Sequence, residues 1–161
     1  MSARKLTSPS QGEGDRSPGA AGVFHSTSPE ETTAIGERIG AGLSTGAVVL
    51  LVGPLGAGKT VIAKGIARAL GITEPVVSPT YTIVSEYSGN TVRLFHVDLF
   101  RIEGREQQEN LGLDDIFRGD GIVLVEWGEK LEPGLARGGL RITVDIAPDG
   151  GRDIRMGETG G

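Results

Sequence analysis

Apolar residues change their spacing several times along this chain, and each change marks an element. Ile35, Ile39 and Leu43 recur at i, i+4 and i+8, one stripe of a helix. Ahead of them, Ser28, Pro29 and Glu31 supply an N-cap, a first-turn proline and a capping-box acid. Gly46 ends that stretch, and Ala47-Val48-Val49-Leu50-Leu51-Val52 follows without a polar break. An unbroken apolar run suits a strand buried on both faces of a parallel sheet. A glycine-rich turn then leads into a helix over 60–70, with Ile62, Ile66 and Leu70 on one side and Gly71 closing it. Residues 81–87 and 92–98 read as strands joined by Ser88-Gly89-Asn90-Thr91, short enough for an antiparallel hairpin. Two short helices are expected over 105–118 around Gly112, with Leu111, Leu113, Ile116 and Phe117 facing inward. Residues 122–126 form another buried strand, and 140–146 and 152–156 form strands at the far edge. Strand, turn and helix followed by further buried strands mean α/β. The sheet is expected to be mainly parallel with one antiparallel hairpin.

Composition narrows the picture further. The 161 residues suit one domain. Residues 1–22 have no hydrophobic period and are rich in Ser, Gly and Pro, so ordering them would cost more than burial returns. They are read as a disordered tail, 23–157 as the folded domain and 158–161 as a loose end. The chain has no cysteine and two histidines, which excludes disulfides, a thiolate nucleophile and a cysteine- or histidine-rich metal centre. A formal charge of −5 argues against a broad basic face that grips nucleic acid unaided. No apolar run approaches the roughly 20 residues of a membrane span, and no signal core opens the chain. A cytoplasmic protein without a membrane partner is expected.

The chemistry gathers around Gly53-Pro54-Leu55-Gly56-Ala57-Gly58-Lys59-Thr60, which fits G-x-x-x-x-G-K-[ST]. Glycines at these positions let successive backbone N–H groups turn toward phosphates, aided by the positive end of the following helix. Lys59 then reaches the β- and γ-phosphates, and the Thr60 hydroxyl is a ligand for Mg²⁺. The loop follows a buried strand and opens an amphipathic helix, the context that gives the motif its meaning. Two acids, Asp98 and Glu126, end apolar strands, where α/β sheets place their ligands. Glu126 suits a metal-holding acid. Asp98 suits positioning of an attacking water or an outer place around the metal. The threonines of Ser78-Pro79-Thr80-Tyr81-Thr82 either sense a γ-phosphate or merely favour extended backbone. Trp127 is core or a wall beside the nucleotide, and His96 is read as a satisfied structural histidine. The motifs D-x-x-G and [NT]-K-x-D are missing from the sequence, which favours ATP over GTP.

Together, GPLGAGKT at 53–60, SPTYTIVSEY at 78–87, HVDLFR at 96–101, ENLGLDDIF at 109–117 and LVEWGEKL at 124–131 closely resemble the TsaE (YjeE) family. The resemblance implies a small P-loop ATPase with an NTPase-like three-layer sandwich, needed for threonylcarbamoyladenosine modification of tRNA beside the anticodon. It implies action with a TsaB–TsaD pair, tRNA being met only through that complex. It places ATP on Gly53, Gly56, Ala57, Gly58, Lys59, Thr60 and Val61, with Thr80 and Trp127 nearby, and Mg²⁺ on Thr60 and Glu126. It assigns catalysis to Lys59, Asp98 and Glu126, and sets Thr27–Thr32 beside the adenine. Pro54 and Val61 depart from the family's usual aspartate and second threonine, and HVDLF replaces HFDLY. Two other classes stay open: a small-molecule kinase of the P-loop class, and a non-catalytic nucleotide-dependent adaptor.

Overall fold

Four parallel strands carry the centre of a seven-stranded sheet, and antiparallel strands close it on both sides. The structure, a computed structural model, describes residues 21–136 and 138–159. The strands are β1 (Gly22–Ser26), β2 (Val48–Val52), β3 (Val84–Ser88), β4 (Arg93–Asp98), β5 (Ile122–Glu126), β6 (Leu140–Ile146) and β7 (Arg152–Glu158). Their order is β1-β7-β6-β2-β5-β4-β3. The β6–β2, β2–β5 and β5–β4 pairs are parallel, whereas β1–β7, β7–β6 and β3–β4 are antiparallel. The expected single hairpin, β3–β4, is thus matched by an antiparallel group on the other side.

Helices cover both faces, and strand alternation divides the core between them. Val49, Leu51, Leu94, Ile122 and Leu124 pack with Ile35 and Ile39 of helix α1 (Pro29–Ala41) and Ile62 and Ile66 of helix α2 (Lys59–Ala69). Leu50, Val97, Val123 and Val125 point the other way. They pack with Leu113 and the partly buried Leu111, Ile116 and Phe117 of helices α3 (Gly104–Asn110) and α4 (Leu113–Arg118) and their junction. Gly112, at φ +73°, turns the chain between those two helices. A 3₁₀ turn over Gly128–Lys130 and the short helix α5 (Pro133–Ala136) follow β5. The Ser28 hydroxyl accepts from the Glu31 N–H at 3.1 Å, as the capping pattern requires. The Glu31 carboxylate reaches one residue further back, to the Thr27 N–H at 2.8 Å.

Three boundaries differ from the sequence reading. Gly22 lies inside β1, opposite Met156, so the 1–22 tail cannot extend through it; residues 1–20 of that expectation lie outside the described residues. At the other end, β7 runs to Glu158, and the Thr159 N–H and hydroxyl donate to the carbonyls of Gly139 and Ala136. The loose end is therefore too long as drawn. Finally, the strand expected from residue 81 starts at Val84, because residues 80–83 form a turn. Among the described residues no helix is long and apolar enough to cross a membrane.

The edge strand β1 is pinned by His25. Its Nδ1 lies 2.7 Å from Asp153 of β7 and its Nε2 3.0 Å from Asp149 in the β6–β7 turn. Hydrogen bonds to Asp153 and Asp149 raise the His25 pKa above 6.5. The Asp149 pKa is held down by the Gly151 N–H first and by His25 second. A raised histidine contributes stability that is complete below its unfolded value of about 6.5 and is lost as pH rises through the folded value. His25→Gln is therefore expected to lower the melting temperature slightly at pH 5.5 and to leave it unchanged at pH 9. The imidazole is exposed, so solvent screening keeps the effect small. A loss equal at both values would assign His25 a packing role instead.

Candidate functional site

The C-terminal ends of β2, β4 and β5 meet at one edge, and alternation decides which side chains face α2. Leu94, His96 and Asp98 share one face of β4, and Ile122, Leu124 and Glu126 share the same face of β5. Asp98 stands opposite Glu126 in the ladder, and Leu51 lies on the other side of Glu126. Glu126 is nearly buried and lies under the start of α2. There the Thr60 hydroxyl sits 3.2 Å from its Oε1 and 3.1 Å from its Oε2. Two oxygen-bearing side chains, 66 residues apart, thus converge at the mouth of the glycine-rich loop.

That loop occupies residues 53–58 between β2 and α2. Gly56 and Gly58 have φ of +81° and +109°, values that side chains other than glycine rarely adopt. The Ile62 N–H bonds to the Gly58 carbonyl at 3.1 Å, the first turn of α2. The N–H groups of Lys59, Thr60 and Val61 therefore precede the intrahelical ladder, at the helix's positive end. Ala57 is fully buried, and its N–H donates to the Pro54 carbonyl at 3.1 Å. Pro54 thus shapes the loop through its carbonyl, although it brings no N–H.

Lys59 is 5% exposed and curls into the loop. Its Nζ donates to the Gly53 carbonyl at 2.5 Å and the Pro54 carbonyl at 3.0 Å. It also lies 4.3 Å from the centre of the Trp127 ring, a cation–π contact. Burial lowers the Lys59 pKa, and the charges of Glu126, Glu129 and Asp98 oppose that shift. Trp127 itself has φ +60° and packs on Phe100 with ring centroids 5.1 Å apart.

Both oxygens of Asp98 are committed. Oδ2 accepts from Ser78 Oγ at 2.9 Å and Thr80 Oγ1 at 3.0 Å, and Oδ1 accepts from the Phe100 N–H at 2.8 Å. Extended backbone, one of the two readings of these threonines, gives way to a turn tied to Asp98. Ile83 within that turn has φ +71°, a strained value for a β-branched residue, and its carbonyl accepts from the Asp98 N–H at 2.8 Å. Among the described residues, the two non-glycine residues with positive φ, Ile83 and Trp127, therefore flank the two strand-end acids.

Two contributors escape the sequence reading. Arg152 of β7 donates from Nε to the Ala57 carbonyl at 2.7 Å and from a terminal nitrogen to the Gly56 carbonyl at 3.2 Å, bracing the loop from outside. Only tertiary folding brings residues 95 positions apart together. His96, read as satisfied and structural, donates or accepts through Nε2 at 2.7 Å from Glu126, while its buried Nδ1 has no partner. The alternation of Leu94-His96-Asp98 could have revealed its shared face with Glu126. Beside the loop, Ser26 to Pro29, Thr32, Gly58, Val61 and Gly150 to Arg152 line a cavity of about 160 Å³. Val61 and the helix start at 27–32 therefore border the same space.

The family model described as threonylcarbamoyl adenosine biosynthesis protein TsaE matches residues 26–154. A Bacillus subtilis protein named tRNA threonylcarbamoyladenosine biosynthesis protein TsaE is 42% identical over 137 residues, 85% of either chain. A Treponema pallidum protein of the same name is 36% identical over 81% of this chain and 96% of its own. The crystal structure of Bacillus subtilis YdiB superposes with a TM-score of 0.75 at 37% identity, covering 88% of this chain and 87% of that one.

Proposed function

The chain belongs to the TsaE family, and we propose that it binds and hydrolyses ATP in support of tRNA threonylcarbamoyladenosine modification. The convergence of Thr60 and Glu126 at the mouth of the loop carries this reading. In it the fold is a P-loop NTPase-like sandwich. The N–H groups opening α2 bind the phosphates, and Lys59 exchanges a loop carbonyl for a phosphate oxygen. The adenine end enters the cavity between Thr27–Thr32 and Val61. Thr60 and Glu126 offer hard oxygen donors, a set that fits Mg²⁺, whose charge would offset that developing on the phosphates. Asp98 holds Ser78 and Thr80 in place near those phosphates, which makes that turn the element that responds to the γ-phosphate.

The rim of the site favours a protein partner. Leu55 is 78% exposed, Tyr81 83% and Phe100 46%, all near the loop or the Asp98 turn. Such apolar residues suit docking by another protein, here a TsaB–TsaD pair, with tRNA reached through it in the cytoplasm. A small-molecule kinase would need an arginine-bearing lid over the transferred phosphate, and residues 101–118 do not offer one. Arg105 is paired with Glu109, Arg101 stacks over Tyr81, and Leu113 is core.

The test is reconstituted threonylcarbamoyladenosine synthesis with TsaB and TsaD, using the wild-type chain, Glu126→Gln or no addition. Multiple-turnover modification is expected with wild type alone. Glu126→Gln is expected to cost far more in hydrolysis than in metal-free ATP affinity by calorimetry. Equal modification in all three reactions would refute the reading.

A further inference from the structure

We propose that His96 is a positioning residue that occupies one oxygen of Glu126 and leaves the other, with Thr60, to the divalent cation. This rests on the nucleotide reading above. The His96 and Glu126 side chains are 0% and 4% exposed, and Nε2 lies 2.7 Å from Oε2. That is the short separation of a charge-assisted hydrogen bond.

The geometry favours the proton on Nε2, which has a carboxylate acceptor, over Nδ1, which has no partner. A proton on Nδ1 would be a buried donor with no acceptor, whereas a proton on Nε2 is donated straight to Glu126. The imidazole is fully buried on its strand, opposite Leu124 in the ladder. Oε2 is thereby engaged. The Thr60 hydroxyl lies 3.2 Å from Oε1 and 3.1 Å from Oε2, so Oε1 is the oxygen that meets Thr60 without the imidazole and is the freer one for a cation or its water.

This arrangement has a consequence for metal choice. A hydrogen bond to one carboxylate oxygen uses one of its lone pairs and its best approach, which biases a cation toward the other oxygen. Mg²⁺ accepts such single-oxygen contacts in a compact octahedron, whereas Ca²⁺ takes more ligands and often both oxygens of a carboxylate. His96 therefore favours Mg²⁺ over Ca²⁺ at this site.

Two measurements on the full chain test the proposal. The first is nitrogen NMR of the two imidazoles in the metal-free protein, assigned with His25→Gln. A proton held on Nε2 of His96 is expected; one on Nδ1 would overturn the proposal. The second is calorimetry of ATP binding titrated with Mg²⁺ or Ca²⁺. His96→Leu is expected to weaken Mg²⁺ linkage by about 10–100-fold, to narrow the Mg²⁺ preference and to spare metal-free ATP binding. His96→Gln, whose amide reaches Glu126, should restore most of the linkage. His96→Asn, one methylene shorter, should not. The Gln–Asn comparison holds polarity constant, so it stands even where the leucine variant fails to fold. Mg²⁺ linkage that is unchanged in His96→Asn and His96→Leu would refute the role of His96 while leaving the nucleotide site intact. Failure of the wild-type chain to bind ATP under any condition would instead refute the nucleotide reading, and this proposal with it.

Discussion

Lys59→Ala is expected to lower hydrolysis by about 10²–10³-fold, the usual cost of one donor to developing charge, while the fold survives. Two opposing effects keep its stability close to wild type. The variant loses hydrogen bonds to the Gly53 and Pro54 carbonyls, roughly 0.5–1.5 kcal/mol each. It also removes a nearly buried ammonium, whose desolvation shows in its lowered pKa. The two terms have opposite signs. With about 2–4 °C per kcal/mol for a chain this long, the melting temperature should move by only a few degrees. Calorimetric ATP titration beside a thermal melt checks both halves. Unchanged ATP binding would show that the loop is not a phosphate site, and a melt many degrees lower would make the lost activity a folding effect.

Local patterns revealed the strand–loop–helix unit, because its signals are short-range. The unbroken run from Ala47 to Val52 can be buried on both faces only inside a sheet, and glycine spacing defines the turn that follows. Asp98 and Glu126 were legible for the same reason, as acids ending apolar strands. What escaped depends on distance in sequence. β1 carries only five residues with one buried, too weak an alternation to mark a strand without β7 beside it. Arg152 opens the polar strand β7, and nothing local points it at a loop 95 residues away. His96 was visible but its partner Glu126 was not, because that contact depends on the β4–β5 register.

The glycines inside helices were the least legible feature, and they carry the second large prediction. Gly36 and Gly40 of α1 lie against α2, and Gly65 of α2 lies against α1. A Cβ on Gly36 would stand 2.5 Å from the Ile62 carbonyl oxygen, and one on Gly65 would fall on the Thr33 carbonyl oxygen. It would also stand 2.9 Å from the Glu37 nitrogen. These neighbours are backbone, so no rotamer change relieves the contact and the helices must separate. Helix propensity favours alanine over glycine by about 0.8–1.0 kcal/mol. Overpacking costs about 1–3 kcal/mol or more, and backbone obstruction sets this site at the upper end. Gly65→Ala should therefore destabilise by about 2 kcal/mol, a fall of several degrees in melting temperature at about 2–4 °C per kcal/mol. Gly134→Ala in α5, where an added Cβ meets nothing within 4 Å, should be neutral or slightly stabilising by comparison. The effect should reach the site as well. The cavity beside the loop has α1 and its lead-in on one wall, through Ser28 and Thr32, and Val61 of α2 on the other. Separating the helices widens that space, so ATP affinity should fall together with the melting temperature. Lys59→Ala, in contrast, should lose affinity with little change in stability. A Gly65→Ala chain that melts and binds ATP like wild type would show that the α1–α2 contact yields more readily than its backbone geometry allows.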